Sequence, residues 1–274
     1  MNIPTHLYHY TNIENLALIL KNKTIRFNPL DKMDDLQEKE IRDAKDIGKV
    51  CYVSSWTDDA EESIPMWNMY ASLKSGIRIK MENIPFEDRP DNVDTIRKMI
   101  GPSLELKIFN ENPKSLVPVD EQMINGIFVF PNKAQDILKK IAYTRDKNKL
   151  YPYLISHVNG ATRVNLDLVG TYKNEKWEFQ REWRYLFFIV AHELSNTPEI
   201  QFKDIRKTMD KLLEGKYERT VPFYDIPISN KAFSEMEITL SPRISAGNRI
   251  IVENLVEKYN SSAKIIDSSL VGLI

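Results

Sequence analysis

An α+β fold built on an antiparallel or mixed sheet is what this chain predicts, and three observations carry that expectation. Short strand-like segments at 7–10, 24–27, 50–57 and 77–81 follow one another in the first third of the chain. The run 177–190 is aromatic and β-branched in its second half and long enough for a strand buried on both faces. Helical spacing with end signals occurs at 11–22, 203–215 and 245–260, so helices accompany the strands.

Each element has a local reason. Thr11, with Glu14 three residues on, has the capping-box form, and Ile13, Leu16, Ala17 and Leu20 follow at helical spacing. Asn28-Pro29 ends the next strand. The segment 31–49 is charged and reads as an exposed short helix or ordered loop. Pro65 opens a short helix to Ala71 that puts Met66, Trp67 and Tyr70 on one side, and Gly76 stops it before the strand 77–81. The residues between 82 and 170 are rich in proline with mixed periodicity. They read as an elaboration inserted into a single domain spanning 1–274, with helical segments at 93–100, 133–143 and 150–157 and a strand at 126–130. After the central strand come a loop at 192–196, a helix at 203–215, and strands at 233–240 and 263–267.

Composition narrows the function classes. The chain has 274 residues, 42% hydrophobic and 28% charged, and 38 basic residues against 39 acidic give a net charge of -1, so no global field argues for nucleic acid or an anionic membrane. Cys51 stands alone, which rules out an internal disulfide or a cysteine zinc knuckle and fits a reducing compartment. No signal peptide and no membrane span are expected, so the expected location is the cytoplasm. With 9 glycines there is no GxGxxG or GxxxxGK[ST] loop, and GxSxG, HExxH and EF-hand patterns are missing too. The acid pairs Asp34-Asp35 and Asp58-Asp59 are of a kind that holds Mg²⁺, but adjacent loop acids are more often simply solvated, so no metal is expected.

What remains is a dispersed set of polar groups near strand ends. His9 closes the first strand just before a helix N-terminus, Ser54 and Ser55 lie late in the third, Tyr70 and Trp67 sit on the short helix, and Glu182 opens the central strand. In an extended chain Glu178, Gln180 and Glu182 point to one side. The plain alternatives are that His9 caps or packs, that Trp67 and Tyr70 are core, and that Glu182 pairs with Arg184, Lys173 or Lys176.

This placement resembles the His-Tyr-Glu type of ADP-ribosyltransferase, and Gln180-Arg181-Glu182 is similar to the (Gln/Glu)-x-Glu turn of toxins in that family. The chain also resembles the bacterial domain-of-unknown-function family 2971. The likeness rests on Leu7-Tyr8-His9-Tyr10-Thr11, Ile13-Glu14-Asn15-Leu16, the 30–38 segment, Val53-Ser54-Ser55-Trp56 and Met66-Trp67-Asn68-Met69-Tyr70-Ala71. Further matches are Lys74-Ser75-Gly76-Ile77, Lys176-Trp177, Gln180-Arg181-Glu182-Trp183-Arg184 and the tail around Ser241-Pro242-Arg243. The chain departs from that family at Asp34-Asp35-Leu36, at Ser241 and at Gln180.

Family 2971 implies no activity of its own; the transferase resemblance, carried by the placement of His9, Tyr70 and Glu182, implies a split-sheet domain that uses NAD as substrate and transfers ADP-ribose to a macromolecular acceptor, in a bacterial toxin or phage-defence setting with a possible partner protein from the same operon. It implies that His9, with Tyr10 or Thr11, meets the ribose edge, that Tyr70 stacks on nicotinamide beside Trp67, and that Ser54 or Ser55 holds Glu182 or the cofactor. Glu182 would stabilise the cationic transition state and Gln180 orient the acceptor. On this reading Glu182→Gln removes turnover and leaves the fold intact. A non-catalytic nucleotide- or protein-binding module is the alternative. A Mg²⁺-dependent nuclease on Asp34, Asp35 and Glu38 ranks third.

Overall fold

The computed structural model describes residues 3–35, 37–100, 113–191 and 202–274. Its main sheet has ten strands among these residues: β1 His6–Asn12, β2 Thr24–Pro29, β3 Cys51–Thr57, β4 Gly76–Glu82, β5 Ile127–Phe130, β6 Leu138–Lys140, β7 Glu182–Ala191, β8 Tyr224–Pro227, β9 Glu237–Leu240 and β10 Lys264–Ile266. Helix α1 spans Ile13–Asn22, α2 Phe202–Glu214 and α3 Ala246–Tyr259. The expected α+β class with a mixed sheet is observed: all strand pairs of the sheet are antiparallel except β9 with β10. No helix among the described residues is long and apolar enough to cross a membrane.

β7 is the backbone of the core because its side chains alternate between two apolar layers. Trp183, Tyr185, Phe187 and Ile189 join one cluster with Leu16, Phe27, Ile77 and Val252, whereas Leu186 and Phe188 join a second with Leu30, Ile47 and Val169. A strand covered on both faces reads as a continuous apolar run, which explains its legibility. Residues between 82 and 170 contribute β5 and β6 to the edge of β7, and Leu116, Val117, Val129 and Ile137 to the first layer.

The sheet is divided along one edge of β3. β7 pairs with β3 over the full length from Glu182↔Thr57 to Phe188↔Cys51, filling one edge. On the other edge β2 pairs only at Asn28↔Val53 and Pro29↔Tyr52, and β1 only at Tyr8↔Thr57. The backbone of 54–56 therefore has no strand partner on that side, because β1 turns away to pair with β4 and β2 turns away to pair with β8.

Several expectations are corrected. The cap of α1 is Asn12, whose side chain accepts from the Asn15 amide, while Thr11 Oγ1 accepts from Asn15 Nδ2 one residue earlier. The 31–49 segment is the ordered loop of the two alternatives, with 3-10 turns at Leu30–Lys32 and Ile47–Lys49, and only half of it faces out: Lys32, Gln37, Glu40, Arg42 and Lys45 are exposed while Glu38, Ile41, Ala44 and Ile47 are buried. The expected helix at 133–143 is β6 plus a strand at Ala142–Thr144, and 150–157 holds the end of a short helix and a strand at Ile155–Val158. Phe233 belongs to a short helix, Asn230–Ser234, before β9. The central strand starts at Glu182: Glu175–Gln180 is a 3-10 turn capped by Asn174, and Arg181 at φ 44 turns the chain into the strand. Glu178 and Gln180 are thus not strand neighbours of Glu182, and Glu178 is exposed. The expected loop at 192–196 lies outside the described residues.

One polar latch ties the chain's last segment to the rest. Glu62 accepts from Trp67 Nε1 at 2.9 Å and from Ser268 Oγ at 2.6 Å, and its second oxygen accepts from the Ser269 amide and hydroxyl. Burial raises the Glu62 pKa, but these donors outweigh it and hold the carboxyl below its ordinary value.

Phe187 is fully buried and touches Phe27, Tyr52 and Tyr224 by ring contacts. Phe187→Ala is therefore expected to lower unfolding free energy by about 3–5 kcal/mol in urea titrations, with the far-ultraviolet spectrum of the folded protein unchanged.

Candidate functional site

A cleft of about 450 Å³ opens at the division of the sheet. Its walls come from β1, α1, β2, β3, the 33–35 turn, the π-turn Trp67–Ala71 and the start of β7. The volume is in the range of small-molecule sites. His9, Tyr70, Gln180 and Glu182, scattered over the sequence, all line it, as do Tyr10, Thr11, Ser54 and Ser55.

His9 does what the missing strand pairing leaves undone. Its Nδ1 lies 2.9 Å from the Ser55 carbonyl, which can only accept, so Nδ1 carries the proton and Nε2 the lone pair. Burial pulls the imidazole pKa below its ordinary value, against the effect of that hydrogen bond, so the ring is neutral at pH 7 and offers an acceptor.

Glu182 sits at the bottom of an ion cluster that is buried throughout. Its Oε1 accepts from Arg184 Nε at 2.6 Å and its Oε2 from Lys173 Nζ at 2.7 Å. Glu38 closes the ring, 2.9 Å from Lys173 Nζ and 2.5 Å from Arg184 Nη1. Glu38 Oε2 makes that last contact without the alignment of a hydrogen bond, whereas Glu38 Oε1 accepts from Arg184 Nη2 at 2.9 Å. Lys173 uses its third donor on Gln180 Oε1 at 2.9 Å, and Gln180 Nε2 donates to the Tyr70 hydroxyl at 2.5 Å. Arg184 Nη1 also donates to the Gly170 carbonyl. Two carboxylates and two cations thus cancel.

The electrostatics follow from this ring. Burial raises the Glu182 pKa, but the Arg184 and Lys173 charges and hydrogen bonds more than reverse it, and the carboxyl is held well below the usual range. Burial, and next the Arg184 charge, pull Lys173 below an ordinary lysine. Burial, with Glu182 behind it, pushes the Tyr70 phenol up to about 12, so it stays a protonated donor.

The plain alternative for Glu182, pairing with Arg184 and Lys173, is thus what the fold contains; Lys176 is exposed. Trp67 is corrected: it is 0% exposed, packs edge-on to Tyr10 with its N–H on Glu62, and does not line the cleft. The Tyr10 hydroxyl is committed to the Ser63 amide and Arg78. The Ser54 hydroxyl accepts from Trp56 Nε1 at 3.0 Å, and the Glu182 oxygens are held by Arg184 and Lys173. Asp58 and Asp59 bind Arg181, and Asp58 accepts from Trp183 Nε1 as well. Among the described residues no group of three His, Cys, Asp or Glu is placed to hold a metal.

Sequence reasoning missed Trp177, Asn15, Asn22 and Arg26 as wall residues, and missed Glu38 as a partner of Arg184. Arg26 forms a two-pronged pair with Asp225 at 2.9 Å. In the charged 31–49 segment nothing local set Glu38 apart from its neighbours. Compared with known proteins, the chain matches no protein-family model, no curated protein and no solved structure.

Glu182→Gln removes one charge from a buried ring, so it is expected to cost about 3–5 kcal/mol at pH 7 rather than leave stability untouched. A depressed folded pKa stabilises fully above the unfolded value of about 4.3 and ceases to do so as pH falls through the folded value. Urea titrations from pH 7 downward should therefore show the wild type losing its advantage over Glu182→Gln below about pH 4.

Proposed function

We propose that the cleft binds NAD and that the protein transfers its ADP-ribose to a macromolecule, as an ADP-ribosyltransferase-like split-sheet domain acting in the bacterial cytoplasm. The observation that carries this reading is that His9, Tyr70, Gln180 and Glu182 meet around one cleft opening where β1 and β2 part from β3. A neutral His9 with a free Nε2 suits a ribose hydroxyl, which donates to it. Tyr70 offers an aromatic face for a cationic ring and a hydroxyl that remains a donor. Gln180 and Glu182 fix that phenol through the ion ring. Departure of nicotinamide leaves an oxocarbenium-like ribose, and an acid-rich wall favours that state over the ground state. A toxin or phage-defence effector with a partner protein from its operon is the setting the resemblance implies.

One observation favours the second reading, a binding module without chemistry: both Glu182 oxygens are already taken by cations. The nuclease reading weakens for the same reason, since Glu38 is clasped by Lys173 and Arg184.

Incubation with NAD decides between the first two. Free nicotinamide, or an acceptor gaining the mass of ADP-ribose, is the expected result, with Tyr70→Ala slowing release by about 10²-fold. Glu182→Gln is expected to abolish it. Calorimetric binding of NAD without any nicotinamide release selects the binding module.

A further inference from the structure

The cleft contains one carboxylate oxygen with nothing to hold. Asp35 lines the cleft and is 8% exposed, yet its Oδ2 is buried and has no hydrogen-bond partner. Its Oδ1 accepts from the Gln37 amide at 3.0 Å, which fixes the turn and the direction of the side chain. A buried carboxylate without a partner is costly, and such groups are retained where something else completes them.

Charge decides what kind of group completes it. The acids lining the cleft are Asp34, Asp35, Glu182 and Asp225, and the cations Arg26, Lys173 and Arg184. Arg26 is spent on Asp225, and Lys173 and Arg184 are spent on Glu182 and Glu38. Asp34 and Asp35 form no ion pair within 4.0 Å with any described residue, although Asp35 is near enough to Lys173 to raise its pKa, and His9 is neutral. That corner has a negative surplus close enough to Tyr70 to act on its phenol, whereas the Trp177 ring, on the same cleft, already has Lys173 Nζ 5.4 Å from its centre. Acids next to aromatic faces are complementary to a flat cation.

We infer that Asp35, rather than Glu182, supplies the carboxylate that meets the ligand, and that it takes a cationic group held against Tyr70. The choice of cation rests on the reading above, in which the positively charged nicotinamide ring and the ribose cation it leaves behind are the groups concerned. Glu182 is then a positioning residue, acting through Lys173 and Gln180 on Tyr70.

The test uses the full chain and two probes of nearly the same shape, the N-methylated nicotinamide cation and neutral nicotinamide, titrated by calorimetry. The expected result is that wild type binds the cation at least about tenfold tighter, and that Asp35→Asn brings the two within about twofold. Asp35→Ser, whose hydroxyl keeps a turn bond to Gln37, carries the same readout should Asp35→Asn fold poorly. Equal binding of the two probes by wild type, or binding of neither, overturns the inference whatever the variants do. A preference that survives loss of Asp35 overturns it too. NAD cleavage is scored separately: cleavage with an Asp35-independent preference sinks this inference and leaves the transferase reading standing, and an Asp35-dependent preference without cleavage does the reverse.

Discussion

Four ionised side chains lie together at the floor of the cleft, almost wholly buried: Glu38, Lys173, Glu182 and Arg184. Each alone would cost several kcal/mol to dehydrate, so none is tolerable there until the other three arrive. They come from three separated stretches: the 30–50 segment, the strand Tyr172–Asn174 and the start of β7. The ring therefore makes these stretches close as a unit, and Gln180 and Tyr70 are placed as its outermost members. An apolar substitute of equal volume would serve stability as well; it would not aim a phenol into the cleft.

The cleft itself follows from a shortage of backbone pairing. β3 is satisfied by β7 along one edge and abandoned by β1 and β2 in the middle of the other. An unpaired carbonyl in a sheet interior has to find a donor, and for Ser55 that donor is the His9 ring. One hydrogen bond thus does two things: it closes the gap left in the ladder, and it sets which nitrogen of His9 faces outward as an acceptor.

How much of this was legible depended on the range of the signals. Strands and helices that show their own periodicity, such as β4, β7, α1 and α3, were readable because one buried face or a double burial leaves a local pattern. The 3-10 turn at Glu175–Gln180 was read as strand because its aromatic residues favour extended chain, and only the left-handed Arg181 interrupts it. The 133–143 segment failed for the opposite reason: its lysines and alanine suit a helix, while pairing of Leu138–Lys140 with β7 overrode that preference. Gathering His9, Tyr70 and Glu182 around one cleft was a matter of resemblance. The roles of Glu38, Asp35 and Trp177 depend on contacts across more than a hundred residues or on an absent partner, and neither leaves a mark in the local sequence.

The Glu62 latch has a reach longer than its size suggests. The same carboxylate grips the indole of Trp67 and the serines Ser268 and Ser269, and Leu270 packs beside Tyr10 and Trp67. Trp67 begins the π-turn that ends at Ala71 and carries Tyr70. Proteolytic trimming ahead of residue 268 would strip three of the four donors from Glu62. The loosened indole would then pass the disturbance to the cleft wall, so that the far end of the polymer helps keep the phenol in register.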